Sequence, residues 1–131
     1  MYRTFRQERG NIRPLPSRIL REEAQLLVPN GIDRYQKPSF DIIQLKHVHF
    51  QNSNETRKTL DDTEVVLSGI VFYDCKLSTP ANINFLSLAR NSKKIGHSMK
   101  INYNGDEYTV MIVEILKDDL SRPHHYELGL V

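Results

Sequence analysis

One cysteine, Cys75, stands in the whole chain, so no internal disulfide can brace the fold and no cysteine-rich zinc site can form. Long apolar runs are missing too. Nothing approaches the roughly eighteen consecutive apolar residues that a membrane-spanning helix needs. The opening Met1-Tyr2-Arg3-Thr4-Phe5-Arg6 lacks the apolar stretch of a secretory leader. The expectation is a soluble chain made in the cytoplasm, with no membrane partner. A large excess of either charge is absent as well: eighteen Lys and Arg face sixteen Asp and Glu, a net +2. That is too small for a protein held to nucleic acid mainly by phosphate contacts. Catalytic signatures are also lacking, with no Gly-x-Ser-x-Gly elbow, no phosphate-cradling glycine loop and no His-Glu-x-x-His pair. Neither an enzyme nor a bound cofactor is expected.

What is present is one domain's worth of chain, 131 residues at 39% hydrophobic, enough for a single modest core. Residues 1–17 are polar and basic, broken by Gly10, Pro14 and Pro16, and are predicted to form an extended arm. Over residues 1–21, Arg3, Arg6, Arg9, Arg13, Arg18 and Arg21 face only Glu8. Tyr2, Phe5 and these arginines interleave as a single-strand binder's would. The favoured reading is an arm docking on a neighbouring protein through Tyr2, Arg3, Phe5, Arg6 and Arg9, because the rest of the chain offers no matching basic face.

Residues 18–131 read as one β domain. Residues 18–28 have a helical composition, yet Leu26 and Val28 suit a strand, and Pro29-Asn30-Gly31 is expected to end the segment either way. A loop follows to Phe40, where Tyr35 and Phe40 are placed to cover a core edge. From Ile43 the sequence alternates, with Ile43, Leu45, His47 and His49 assigned to one face and Gln44, Lys46, Val48 and Phe50 to the other. Residues 65–73 are the most hydrophobic stretch and read as a strand buried on both faces, with Gly69 a bulge or a point of close approach. A short helical insertion is predicted over 82–96, its helix beginning near Asn82 and ending through 91–96 with Lys93, Lys94 and Gly96. The clearest local signal is Asn104-Gly105 between two β-rich runs, a tight hairpin. Residues 118–123 turn the chain and 124–131 close it as a strand. Five to six strands with no βαβ rhythm indicate an all-β fold, a small barrel or sandwich.

Residues 51–64 carry one large apolar side chain before Val65, Leu60, and should form a solvated loop. A structureless connection of that length is unusual inside a compact domain and is commonly functional. Of the scattered polar residues, His47 with His49, and His124 with His125, could serve as metal ligands. Adjacent histidines on a strand point opposite ways, so interface or rim histidines are favoured over a metal site. Asp61-Asp62 lacks the oxygen spacing and glycine of a calcium loop, and Cys75 has no sequence neighbour that marks a nucleophile.

The C-terminal half resembles the minor capsid, or head-tail connector, family of siphophages of Gram-positive bacteria. The likeness rests on Val71-Phe-Tyr-Asp-Cys75 followed by Pro80, on Ile101-Asn-Tyr-Asn-Gly-Asp-Glu-Tyr-Thr-Val110, and above all on the ending His124-His-Tyr-Glu-Leu-Gly-Leu-Val131. Upstream, Pro14-Leu-Pro-Ser-Arg-Ile-Leu20 is similar to the way family members open. The basic arm and the length of 82–97 depart from the family pattern. The resemblance implies a stopper-like β-barrel subunit of the virion, assembled in the host cytoplasm into a homo-oligomeric ring that joins portal and adaptor proteins to the tail. Such a ring would hold packaged double-stranded DNA without reading its sequence, by a loop projecting into the channel. By position that loop is 51–64, with Asn52, Asn54, Glu55, Arg57, Lys58, Asp61 and Asp62 its gating residues, and deleting 52–62 should spare the fold. His124, His125 and Tyr126 are assigned to a subunit contact or rim. The rival readings are a tail-terminator or adaptor protein, and a phage nucleic-acid-binding module.

Overall fold

A computed structural model describes residues 19–59 and 62–131. The arm residues Tyr2, Arg3, Phe5, Arg6 and Arg9, and Asp61 of the loop, lie outside the described residues.

The segment with mixed helix and strand signals is a strand, β1 (Glu22–Ile32). Ala24, Leu26 and Val28 are buried at alternate positions, the two-residue period that puts one strand face into a core. Pro29-Asn30-Gly31 does not end it, contrary to expectation. Pairing with β2 (Pro38–Asn52) continues to Ile32 and shifts register between Pro29 and Gly31, so that Asn30 is left out as a bulge. Beyond Leu27 only β2 pairs with β1, since β6 (Lys100–Tyr103) reaches no further than Gln25–Leu27. A proline is tolerated on such an edge. Asp33 makes the β1–β2 turn, its Oδ1 accepting the backbone N–H of Tyr35 at 2.8 Å and of Lys37 at 2.9 Å. Tyr35 covers no core edge, being 67% exposed.

A second bulge breaks the predicted alternation of β2. Glu22 pairs with Val48 and Glu23 with Lys46, which leaves His47 unopposed with a left-handed φ of 57°. The extra residue switches faces. Leu45 and Val48 are therefore both buried, three positions apart, while His49 turns outward to stack on Phe72 with ring centroids 5.9 Å apart.

Six strands close on themselves in the order β1-β2-β5-β8-β7-β6, where β5 is Gly69–Asp74, β6 Lys100–Tyr103, β7 Asp106–Lys117 and β8 Pro123–Leu130. Every pairing is antiparallel. Asn104 and Gly105 both take positive φ, 52° and 86°, the geometry that joins β6 to β7 as predicted. Leu26, Leu45, Val48, Val71, Ile101 and Leu128 fill the interior.

The insertion helix α1 (Phe85–Ile95) starts from Asn84, whose side chain accepts the Ser87 N–H at 3.1 Å, and stops at Gly96 with φ 92°. Residues 91–95, expected to terminate it, are helical. Only the glycine stops it. α1 packs on β1 and β7, the two strands that short β6 separates, and so covers the gap where β6 ends. Phe85 enters the core edge-on to Tyr73 and Tyr126 at 4.9 and 5.0 Å.

β5 is buried at all six positions, but the doubly buried strand predicted over 65–73 is broken at Leu67-Ser68, and Val66 is 59% exposed. Its outward Ile70 and Phe72 pack with Leu67 and Leu20 in a second apolar cluster on the outside of the barrel. Gly69 is a point of close approach rather than a bulge: a Cβ there would sit 2.6 Å from Cζ of Phe50, a ring stacked on Tyr103 at 4.3 Å.

Candidate functional site

The stretch predicted as a bare solvated loop is instead a hairpin, β3 (Thr56–Lys58) and β4 (Glu64–Val66), paired antiparallel. Asn52 belongs to the end of β2. The hairpin's root is stitched to the barrel by backbone bonds: Leu67 N–H to Glu55 O at 2.8 Å, Ser53 N–H to Ser68 O at 3.1 Å and Ser68 N–H to Leu130 O at 2.7 Å. Val65 and Leu67 join the outer apolar cluster.

Beneath the hairpin, the barrel wall carries a row of cross-strand neighbours, His49, Phe72, Glu127 and Glu114, on β2, β5, β8 and β7. Two carboxylates directly opposite one another repel. Arg57 resolves the conflict from above. Its Nη1 pairs with Glu114, its Nη2 reaches Glu127 Oε1 at 3.4 Å, and its Nε donates to Glu55 Oε2 at 2.8 Å. The Arg57 side chain is 12% exposed and that of Glu127 is 0%. Burial opposes the guanidinium charge, yet the hydrogen bond to Glu55 and the carboxylates of Glu114, Glu55 and Glu127 outweigh it, so its pKa is raised above the ordinary arginine value. Arg57 is thus an anchor rather than a free gating side chain. Asn54, Lys58 and Asp62 are exposed, and Lys58 Nζ lies 3.4 Å from Asp62 Oδ1. The turn is closed by Thr59 N–H to Thr63 O at 2.8 Å and Asp62 N–H to Thr59 O at 3.0 Å. Glu114 and Glu127 were missed by sequence reasoning because their register across β7 and β8 depends on a bulge between Val110 and Ile112.

Burial corrects two of the three predicted rim residues, His125 and Tyr126, while His124 is half-buried. Tyr126 is 4% exposed and packs against Tyr73 and Phe85; it is a core residue. His125 is 2% exposed, with Nε2 3.6 Å from Glu127 Oε2. The two histidines do meet, Nδ1 to Nδ1 at 2.7 Å, because pairing of β8 with β7 passes from His125 to Pro123 and leaves His124 in a bulge. Burial, with neighbouring His125 next, holds the His124 pKa below the ordinary histidine value.

His47 is the exposed bulge residue, and His49 Nδ1 lies 3.1 Å from Glu22 Oε1. Among the described residues no three His, Cys, Asp or Glu side chains are grouped to hold a metal ion. Burial, with Asp74 adding to it, pushes the Cys75 thiol up to about 11, so it stays protonated and unreactive at neutral pH. An open depression of about 340 Å³ lies between β1, β2 and the β6–β7 turn, lined by Glu23, Gln25, Gln44 and Asn102, a set without a nucleophile. Among the described residues no helix is long and apolar enough to cross a membrane.

The site is therefore a polar clasp that fixes a hairpin to a barrel wall, which is structural work. A comparison with protein families matches residues 16–130 to the minor capsid protein model. The chain belongs to the minor capsid protein family. No curated protein matches it. Membership makes this phage minor capsid protein a structural component of the virion. The match takes in the barrel, α1 and the β3–β4 hairpin, and leaves out residues 1–15, most of the basic arm.

Proposed function

We propose that this minor capsid protein is a stopper-like ring subunit at the head-tail junction, which connects portal and adaptor proteins to the tail and helps retain packaged DNA. The observation that carries the reading is the rigidly rooted hairpin: Arg57 and the backbone bonds of residues 53–68 hold its base, while Lys58 and Asp62 at its end are 60% and 82% exposed. In a cyclic ring each such end is repeated around the axis, so weak contacts between ends and with DNA sum through avidity. The part free to close a channel is the end beyond β3, shorter than the whole 51–64 segment. Barrel closure bears on assembly too. Closing a sheet removes most edges, so subunits of such a ring meet through side-chain surfaces, the short edge of β1 beyond Leu27, the open edges of the β3–β4 pair and the arm.

The test replaces residues 59–63 by Asn-Gly, which keeps Arg57 and Glu64. Deleting 52–62 would not serve, because it would remove Arg57 from above two carboxylates and damage the fold. Filled heads carrying the short-turn variant should lose DNA. Normal DNA retention would overturn the gate. Images of the virion that place the protein away from the head-tail junction would overturn the connector reading.

A further inference from the structure

The modest net charge conceals a sharp segregation. Between Cys75 and Gly105 there are five cations, Lys76, Arg90, Lys93, Lys94 and Lys100, and not one Asp or Glu. Over the remainder of residues 22–131, fifteen Asp and Glu face seven Lys and Arg. The chain outside the arm is therefore an acidic body with one basic element, α1 and its flanks, which corrects the expectation that no basic face exists outside the arm.

Arg90, Lys93 and Lys94 stand at i, i+3 and i+4 on α1, a spacing that groups them on one side of a helix. All three are exposed, while Phe85 and Ser92 are its buried positions. Among the described residues none of the three is in an ion pair, whereas Lys100 is held by Glu107 at 3.3 Å. The helix dipole accounts for Lys93 and Lys94 in the last turn. It does not account for Arg90, or for a run of thirty-one residues without a carboxylate side chain. Protein-docking faces are centred on apolar or aromatic anchors and are depleted in lysine. Here Phe85, Leu86, Leu88 and Ala89 are all spent on the core, and the exposed residues of α1 are Arg90, Asn91, Lys93 and Lys94.

We infer that the Arg90, Lys93 and Lys94 face of α1 is a binding surface for the phosphate backbone of duplex DNA. Three cations without a base-reading side chain hold DNA independently of sequence and let it slide. The acidic remainder repels DNA, so the field of the subunit turns α1 toward it. One copy binds weakly, and a ring would multiply the contact. The inference deepens the virion reading above by naming a DNA-facing surface. It is tested on purified protein, so its failure leaves the head-tail assignment standing, and images of the virion test that assignment separately.

The experiment measures binding of a fluorescent random-sequence duplex to the full-length protein, to a version lacking residues 1–17, and to R90E/K93E/K94E, across a salt series, with melting curves to verify folding. Three phosphate contacts give a log-log salt slope of about −2.7 after arm removal. The triple variant, folded and with its arm intact, should bind at least about tenfold more weakly at low salt. R90Q/K93Q/K94Q, which adds no repulsion, should show a smaller loss in the same direction. Unchanged affinity in both helix variants, or loss of all binding on arm removal alone, would overturn the inference. Equal binding to poly-glutamate at the same charge concentration would also overturn it, reassigning the face to an acidic protein partner.

Discussion

Glu114 and Glu127 sit directly opposite each other on β7 and β8, two like charges in register, and one guanidinium from a separate hairpin spans both. This makes the hairpin electrostatically part of the wall. A carboxylate pair on neighbouring strands costs stability by itself, so the barrel is folded best with the hairpin down.

Removing the clasp tests that coupling. Arg57→Ala should destabilise the protein by about 2 kcal/mol or more, toward or below the low end for breaking a buried pair because Glu114 is partly exposed. Adding Glu114→Gln should recover part of the loss, since it removes one of the two opposed charges. Urea denaturation reads both. A single variant within about 0.5 kcal/mol of the wild type would place Arg57 among ordinary surface charges.

His124 gives the protein an acid-sensitive element. Its folded pKa is held below its unfolded value, first by burial and next by His125. As pH falls through about 6.5, the unfolded chain takes up the proton before the folded one. Stability should therefore decrease with acidification from that point down to the folded pKa, and His124→Asn should flatten this part of the profile. Asp74 and Asp118 act in the opposite direction, and Lys76 in the same one. Thermal melts from pH 7.5 to 5 decide the matter, and an identical slope in the variant would remove His124 as its cause.

What could be read from the sequence were elements with local chemistry: the Asn104-Gly105 turn, the doubly buried β5, and the presence of α1 with its Gly96 stop, though not the helix's start or its last turn. What could not were the bulges. Asn30, His47 and His124 each add a residue to one strand, and each reverses the faces that simple alternation assigns downstream. His47 moved Val48 into the core and His49 out of it; His124 brought two adjacent histidine rings together. A bulge is set by the partner strand and the closing of the barrel, long-range facts that a two-residue period does not contain. The polar composition of 51–64 likewise hid a hairpin, because its stabilising partners Glu114 and Glu127 lie over fifty residues away.

At the other pH extreme, Tyr103 is the element to watch. Its hydroxyl donates to Glu22, which also accepts the Phe50 N–H at 2.9 Å, so one carboxylate ties β1, β2 and β6. That hydrogen bond, with burial next, pushes the phenol up to about 12. The folded state keeps its proton where the unfolded chain, titrating near 10, has lost it. The stabilisation is complete below pH 10 and disappears as pH rises toward 12. Tyr103→Phe should lower stability at neutral pH and weaken the alkaline decline relative to the wild type. Parallel curves from pH 8 to 11.5 would mean that the Glu22 bond contributes nothing.

Gly129 tests whether the hairpin's root is packed as tightly as its ion pairs imply. A Cβ at this position would lie 3.1 Å from Cδ1 of Leu67 and 3.2 Å from Cβ of Ile112. Leu67 ends a flexible side chain, but it is 1% exposed among Leu20, Ile70 and Phe72. Ile112 is fixed directly across β7, paired with Gly129. Neither neighbour can yield cheaply, so Gly129→Ala should cost about 1–3 kcal/mol, the usual penalty for overpacking. Leu67→Ala alone should cost about 2–5 kcal/mol through the cavity it leaves. Combined, the new methyl occupies part of that cavity, and the double variant should lose less than the two single losses added together. Strict additivity would show that Leu67 and Gly129 do not press on one another, and with that the close seating of the hairpin on β8 would be disproved.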